Sequence, residues 1–351
     1  MSILWMDNFQ NYGTSLSIAQ QGTPYQYLGG INGGLVANPD GSGDTVLQIG
    51  GNTGNSNVVD NGVALPASGT KIGVAFRYRT QALPSSSGVR PSLMQYRDLT
   101  NAKQVDIIVE SNGSLTVQIQ GTQIINTGYP IVTAGNWQHF EIYVDSTVGS
   151  VTVKLEGVQV INQTYAANSI VFANIGWSPR QDLYSPAQAA TSYMKDFIIW
   201  NTSGTVNNSF IGPVSVYRLA PTTDVSNSWT LTGGTSVSGI TSADPPNDSN
   251  YIAAGYTGLP LSATVNLSDL PSNVVGVRAV MTLQRAEKSD GGDATINTQI
   301  HSGSATFTGA NHNIGTSFAY SYDISEVDPN TGSAWNPIAV NNATMSIVRT
   351  V

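Results

Sequence analysis

Apolar and polar residues alternate with a period of two over much of this chain. From Lys71 to Thr80, Ile72, Val74, Phe76 and Tyr78 fall on one side and Gly73, Ala75, Arg77 and Arg79 on the other, the pattern of a half-buried strand. The same period runs through Val105, Ile107 and Val109, and again through Leu115, Val117 and Ile119. Ser111-Asn112-Gly113-Ser114 joins them, and Asn-Gly between two alternating runs predicts a hairpin. Further on, Gly135–Val144 and Gly149–Val158 read as two strands meeting through a polar turn, and the Glu156-Gly157 step turns the chain back into Val158–Ile161. Phe197-Ile198-Ile199-Trp200 is apolar on both faces, which predicts a central strand.

The opening segment Met6–Gly13 is answered by Tyr193–Asn201, with only β-type segments and Gly-rich turns between. One sandwich whose first and last strands pair accounts for both. Thr202–Ser209 then breaks the pattern as a linker, so the predicted domains are 1–205 and 206–351. The later region carries short strand-like runs at Ser228–Leu231, Asn250–Ile252, Val274–Gln284 and Ala294–Ser302. Within the third, Val277, Ala279, Met281 and Leu283 alternate as a core strand would. The predicted fold class is all-β, a jelly-roll sandwich followed by a smaller β-sandwich.

Composition sharpens this picture. The 351 residues exceed what one core of roughly 250 to 300 residues covers. Charged residues are only 10%, against about 25% on average, while 36 glycines suit tight turns. A hydrophobic fraction of 40%, with 15 Tyr and 6 Trp, supplies burial enough to order the chain. A net charge of −8 with 14 Lys and Arg leaves no basic stripe for a phosphate backbone, so no direct nucleic-acid partner is expected. The absence of cysteine removes disulfides and thiolate metal sites. No apolar run reaches the roughly 18 residues of a membrane span or the form of a signal peptide, which predicts synthesis in a cytoplasm.

Candidate chemistry is sparse. Glu141 and Asp145 share a strand face at an even spacing, but no third acid accompanies them, and they read as solvent-facing charges. His301 and His312 can neighbour each other on adjoining strands, without the close spacing of a metal site, and His139 beside Trp137 reads as a packing position. Acidic stretches at Asp40–Asp44, Asp244–Asp248 and Ser289–Asp293 have the oxygen ligands calcium takes, yet turn chemistry explains them, and no cofactor or metal is expected. Aromatics in or near loops, Tyr25, Tyr27, Trp177 and Tyr184, with Trp5, are candidates for stacking on a sugar, the alternative being that they fill the core or an intersubunit surface. Neither a nucleophile elbow nor a phosphate loop occurs, and the glycines of Gly29–Gly34 lack a strand-to-helix setting.

Trp137-Gln138-His139, the alternating strand that follows, and Val151-Thr152-Val153 leading to Gly157 resemble laminin G-like and other concanavalin A-like jelly rolls. Gly212-Pro213 with Val216, the solitary Trp229, Asp248–Ile252 and the Asp328–Trp335 closing resemble a C-terminal module of bacteriophage virion proteins. The resemblance covers nearly the whole chain. It implies a non-enzymatic virion structural protein made in the host cytoplasm and displayed on a capsid, collar or tail. Its expected partners are other virion proteins and further copies of itself, in a trimer at a symmetry axis. The alternative is a receptor-binding lectin for host-surface glycans, and a third reading is a polysaccharide depolymerase.

Overall fold

The structure, a computed structural model, describes residues 1–27, 33–49, 61–84, 90–178 and 191–351. The chain up to residue 201 forms a jelly-roll sandwich of two antiparallel sheets. The first, of eight strands, runs Val158–Thr164, Ser150–Leu155, Gln138–Asp145, Lys71–Thr80, Ser192–Asn201, Thr45–Ile49 and Gly34–Ala37, with Ile3–Asp7 also against Ser192–Asn201. The second runs Thr122–Asn126, Leu115–Ile119, Lys103–Val109, Ser92–Asp98, Phe172–Ser178, Asn61–Gly69 and Tyr25–Tyr27. Between them lies one core, with Phe76, Phe140, Trp177, Phe197, Trp5 and Tyr96 fully buried.

The predicted pairing of the sandwich's ends is present: Ile3 lies opposite Trp200, Met6 opposite Ile198 and Asp7 opposite Phe197. All three predicted hairpins form. Glu156 and Gly157 take positive φ values of 48° and 80°, the turn that sends Ser150–Leu155 back into Val158–Thr164.

Strands beyond residue 210 pair only with one another among the described residues. One sheet holds Pro221–Asn227, Leu261–Leu267, Thr344–Arg349, Thr295–Ser302 and Ala305–Thr308, with His312–Asn313 beside Thr295–Ser302. Two-stranded ladders join Thr230–Thr232 to Tyr251–Ala253 and Val280–Ala286 to Ala319–Ser325. The Asp328–Trp335 segment is a tied loop. Asp328 accepts from Asn330 N at 3.0 Å and from Thr331, and Trp335 is buried with its Nε1 donating to Ser325 O at 3.1 Å.

This later region covers the outer face of the first sheet, which is why Phe197–Trp200 is apolar on both sides. Phe197 and Ile199 face the jelly-roll core, while Ile198 and Trp200 pack with Ile211, Phe210, Val214 and Ile324. Trp200 stacks on Tyr143 with centroids 5.2 Å apart and planes at 3°, and Phe210 closes its edge at 5.8 Å. Two carboxylates fasten the contact. Glu141 accepts from the backbone N–H of Ile211 at 2.7 Å and of Gly212 at 3.0 Å. Glu326 accepts from those of Ser2 at 2.7 Å and Ile3 at 3.0 Å. Gly22 has φ 79°, and a Cβ there would stand 2.3 Å from Tyr320 O, so glycine lets the two backbones meet.

Asp7 sits at the same seam. It accepts from Tyr12 and Tyr25 hydroxyls, each at 2.8 Å, and from Phe9 N at 2.8 Å, while Tyr12 meets the ring of Tyr320 edge-on. Burial raises its pKa to about 6 against the lowering pull of these hydrogen bonds. A carboxyl with a raised folded-state pKa contributes stability below its unfolded pKa, and that contribution is lost as pH rises through 6. The unfolding free energy of Asp7→Asn, measured against wild type, is therefore expected to improve between pH 4 and pH 7 by up to about 3 kcal/mol. A difference flat over that range in denaturant titrations would show that Asp7 does not titrate there.

Candidate functional site

The outer face of the second sheet carries a continuous set of polar side chains. Alternation assigns it: Met94, Tyr96, Val105, Ile107, Leu115, Val117, Ile175 and Trp177 point into the core, so their neighbours point away. Register then aligns them across strands. Gly62 lies opposite Gly176, Gly176 opposite Gln95, Gln95 opposite Asp106, Asp106 opposite Gln118 and Gln118 opposite Gln123. A parallel row holds Asn174, Arg97 and Lys103.

These groups are far less exposed than a flat outer surface would leave them: Gln95 0%, Asp106 5%, Arg97 8% and Gln118 9%. Arg97 donates from Nε to Gln95 Oε1 at 3.1 Å, and a second guanidinium nitrogen donates to the same oxygen. Gln95 Nε2 donates to Ser92 Oγ at 2.8 Å, and Lys103 stands 3.6 Å from the Asp106 carboxylate. Beside them Gln104 Nε2 donates to Asp98 Oδ2 at 2.7 Å. Hydrogen bonds led by that from the Thr100 hydroxyl hold the Asp98 carboxyl below its ordinary range. Gln95 and Arg97 are thus held by their neighbours, so their orientation is set before any ligand arrives. The row offers amides that both donate and accept, a guanidinium that only donates and a carboxylate that only accepts. That mixture suits a ligand dense in hydroxyl groups.

Sequence reasoning did not bring this row together. The polar phase of Val105–Val109 and Leu115–Ile119 was readable as Asp106, Thr116 and Gln118, but Gln95 and Arg97 join it only through the pairing of Ser92–Asp98. That strand carries register shifts after Ser92 and after Tyr96, which blur its period.

The aromatic candidates lie elsewhere. Tyr25 is 2% exposed, donates its hydroxyl to Asp7 and packs on Trp5 and Phe9. Trp177 and Trp5 are fully buried, the former against Phe197 at 5.6 Å. Tyr25, Trp177 and Trp5 therefore present no ring face to a ligand, because all three lie on strands in the core rather than in loops. The side chain of Tyr27 and the whole of Tyr184 lie outside the described residues.

Glu141 is not the solvent-facing charge the sequence suggested. It is fully buried, and burial raises its pKa. Asp145 accepts from Thr147 N at 2.9 Å and pairs with Lys71 at 3.2 Å, bonds that lower its pKa against the raising effect of burial. His139 is fully buried, and desolvation with nearby Arg77 lowers its pKa to about 4. His301 and His312 go separate ways, His301 to Thr306 and Ser346 and His312 to Asp323 at 3.1 Å. At Asp40–Asp44 the carboxylates bond their own turn, Asp40 accepting from Ser42 N and Asp44 from Ser42 Oγ. Among the described residues no three His, Asp or Glu side chains gather as metal ligands. No helix among them is long and apolar enough to cross a membrane.

No protein-family model and no curated protein matches the chain. Solved structures do. A sialidase matches at 11% identity and TM-score 0.36, over 52% of this chain and 19% of its own length. The cellulose-induced protein Cip1 matches at 15% identity and TM-score 0.41, over 56% of this chain and 95% of that one. A family 7 alginate lyase, A1-II', matches at 18% identity and TM-score 0.36, over 47% and 82%. At these identities the likeness is one of fold, the jelly-roll β-sandwich. The expectation that the protein is not an enzyme is corrected by this comparison, since a sialidase and alginate lyases stand among the matched structures.

Proposed function

We propose that this protein recognises carbohydrate on the outer face of its second sheet. The observation that supports the reading is the row of Gln95, Arg97, Asp106 and Gln118, polar, nearly buried and turned away from the core, with Gln95 and Arg97 bonded to each other. Sugars carry many hydroxyls that donate and accept at once, and amides and carboxylates fixed on a rigid sheet answer them without ordering cost. In this reading the module is carried on a virion, as the resemblance to phage proteins implies, and a host-surface glycan is its ligand. Antibody labelling of intact particles tests that part.

The binding test is a glycan array followed by titration of the best ligand into wild type, Asp106→Ala and Gln118→Ala. Both variants are expected to bind at least tenfold more weakly when compared at equal folded protein, since truncating side chains this buried also lowers stability. Silence across neutral and acidic glycans would sink the proposal, and undiminished binding by both variants would move the site off this face. Mass analysis of the same mixtures reads any cleavage of the ligand.

A further inference from the structure

Trp137 leads into the strand Gln138–Asp145 of the first sheet and stays half-buried. Its ring is fixed by two neighbours. The indole Nε1 donates to Asp40 Oδ2 at 3.2 Å, and Lys195 Nζ stands 4.7 Å from the ring centroid and 3.9 Å from the same carboxylate. Lys71–Thr80 runs between the strand that Trp137 enters and the strand of Lys195. Ring and ammonium therefore meet over the outward side chains of Lys71–Thr80 at this end, Arg77 and Arg79.

Arg79 is the group that the fold itself leaves unanswered. Arg77 pairs with Asp196 at 3.3 Å and Lys195 with Asp40, whereas Arg79 has neither a carboxylate nor a hydrogen-bond acceptor among the described residues, and its Nε is buried. A guanidinium only donates, and a buried donor without a partner is uncommon in a folded protein. Directly opposite Arg79 in register lies Tyr193, 6% exposed. Its hydroxyl accepts from Gln81 Nε2 at 2.7 Å, which leaves its own proton to donate. Opposed residues on a sheet have Cβ atoms about 4.5–5.5 Å apart, so the guanidinium and the phenol address one place.

Charge and shape narrow what fits there. Asp196 and Asp40 offset Arg77 and Lys195, so the positive charge of Arg79 is left over in a chain whose net charge is −8. A single carboxylate balances it and matches the guanidinium fork, whereas a phosphate dianion would bring surplus negative charge. Trp137 adds an apolar, fixed ring beside the charge, the surface against which the C–H side of a sugar ring lies.

We propose that this end of the first sheet's outer face binds an acidic saccharide, its carboxylate on Arg79 and Tyr193 and a sugar face against Trp137. The site is on the other sheet from the row of Gln95 and Asp106, and it stands or falls independently of that row.

The test is titration of oligosaccharides of uronic and sialic acids into the full chain, each beside its carboxyl-reduced, neutral counterpart. At least one acidic saccharide is expected to bind, and its reduced form at least tenfold more weakly. Arg79→Gln and Trp137→Ala are each expected to weaken binding at least tenfold at equal folded protein, and Tyr193→Phe several-fold. Lys71→Gln, which removes a positive charge from the far end of the same strand, is expected to leave the affinity unchanged. Absence of binding by every acidic saccharide would overturn the proposal, as would equal affinity for the reduced forms; both are read on wild type and need no variant. Undiminished binding by Arg79→Gln, or a loss as large in Lys71→Gln, would overturn it too.

Discussion

Gly73→Ala is expected to destabilise the protein by about 3 kcal/mol or more, the upper range for inserting a methyl group into a packed interior. The added Cβ would lie 2.0 Å from Cε2 and 2.2 Å from Cζ2 of Trp200, distances no real Cβ adopts. Gly73 is flanked in register by Tyr143 on one side and Trp200 on the other, so the indole lies across its backbone. The ring has nowhere to go: it stacks on Tyr143, Phe210 closes its edge, and Lys154 caps Phe210 at 3.9 Å. Urea titration measures the loss. Replacing Trp200 by alanine in the same chain should remove most of the added penalty, since the two residues couple directly. A loss below about 1 kcal/mol for Gly73→Ala would mean the indole is not seated there.

Glu141→Ala comes next in size. It would strip the acceptor from two backbone N–H groups, that of buried Ile211 and that of partly buried Gly212. Each buried donor left unpaired costs about 1–3 kcal/mol, and the partly exposed Gly212 should lose less than Ile211, so a total of about 2–4 kcal/mol is expected. Glu141→Gln keeps a carbonyl oxygen toward the same N–H groups and should lose about half as much. Equal losses for the two variants would show that charge, rather than accepting capacity, holds this contact. Limited proteolysis adds a local readout, because cleavage between residues 202 and 215 should accelerate in Glu141→Ala before the jelly roll itself opens.

The contrast between Gly73 and Glu141 shows what the sequence discloses. Small residues at Gly73 and Ala75, opposite in phase to Ile72, Val74 and Phe76, were legible as a strand face with room above it. The apolar Ile198 and Trp200 on the other side of Phe197 and Ile199 were legible as needing cover. What supplies the cover was not, because the contact joins residues as distant as Ser2 and Glu326, and no local period records such a pairing. For the same reason Glu141 looked like a surface charge. A lone acid on an alternating strand faces solvent unless a distant segment crosses it, and here Ile211-Gly212 does. The candidate binding face was half legible: Asp106 and Gln118 follow from a hairpin any reader can draw, whereas Gln95 and Arg97 depend on a strand broken by two register shifts. Trp177 and Tyr25 misled because aromatic residues near turns look available, while their strand phase points them inward. Val274–Ala279 is a different kind of divergence. The pattern of a strand is present there, yet among the described residues only its later part, Val280–Ala286, pairs.

Glu326 holding the amides of Ser2 and Ile3 has a mechanical consequence. A tether pulling on the C-terminal region against a ligand held by the jelly roll would not first extend the stretch between residues 202 and 215. The load would pass into the Ile3–Asp7 strand and across its ladder to Ser192–Asn201, where the hydrogen bonds resist together. The contact is a shear joint, and its failure under force should be abrupt, releasing both partners of the seam in one step.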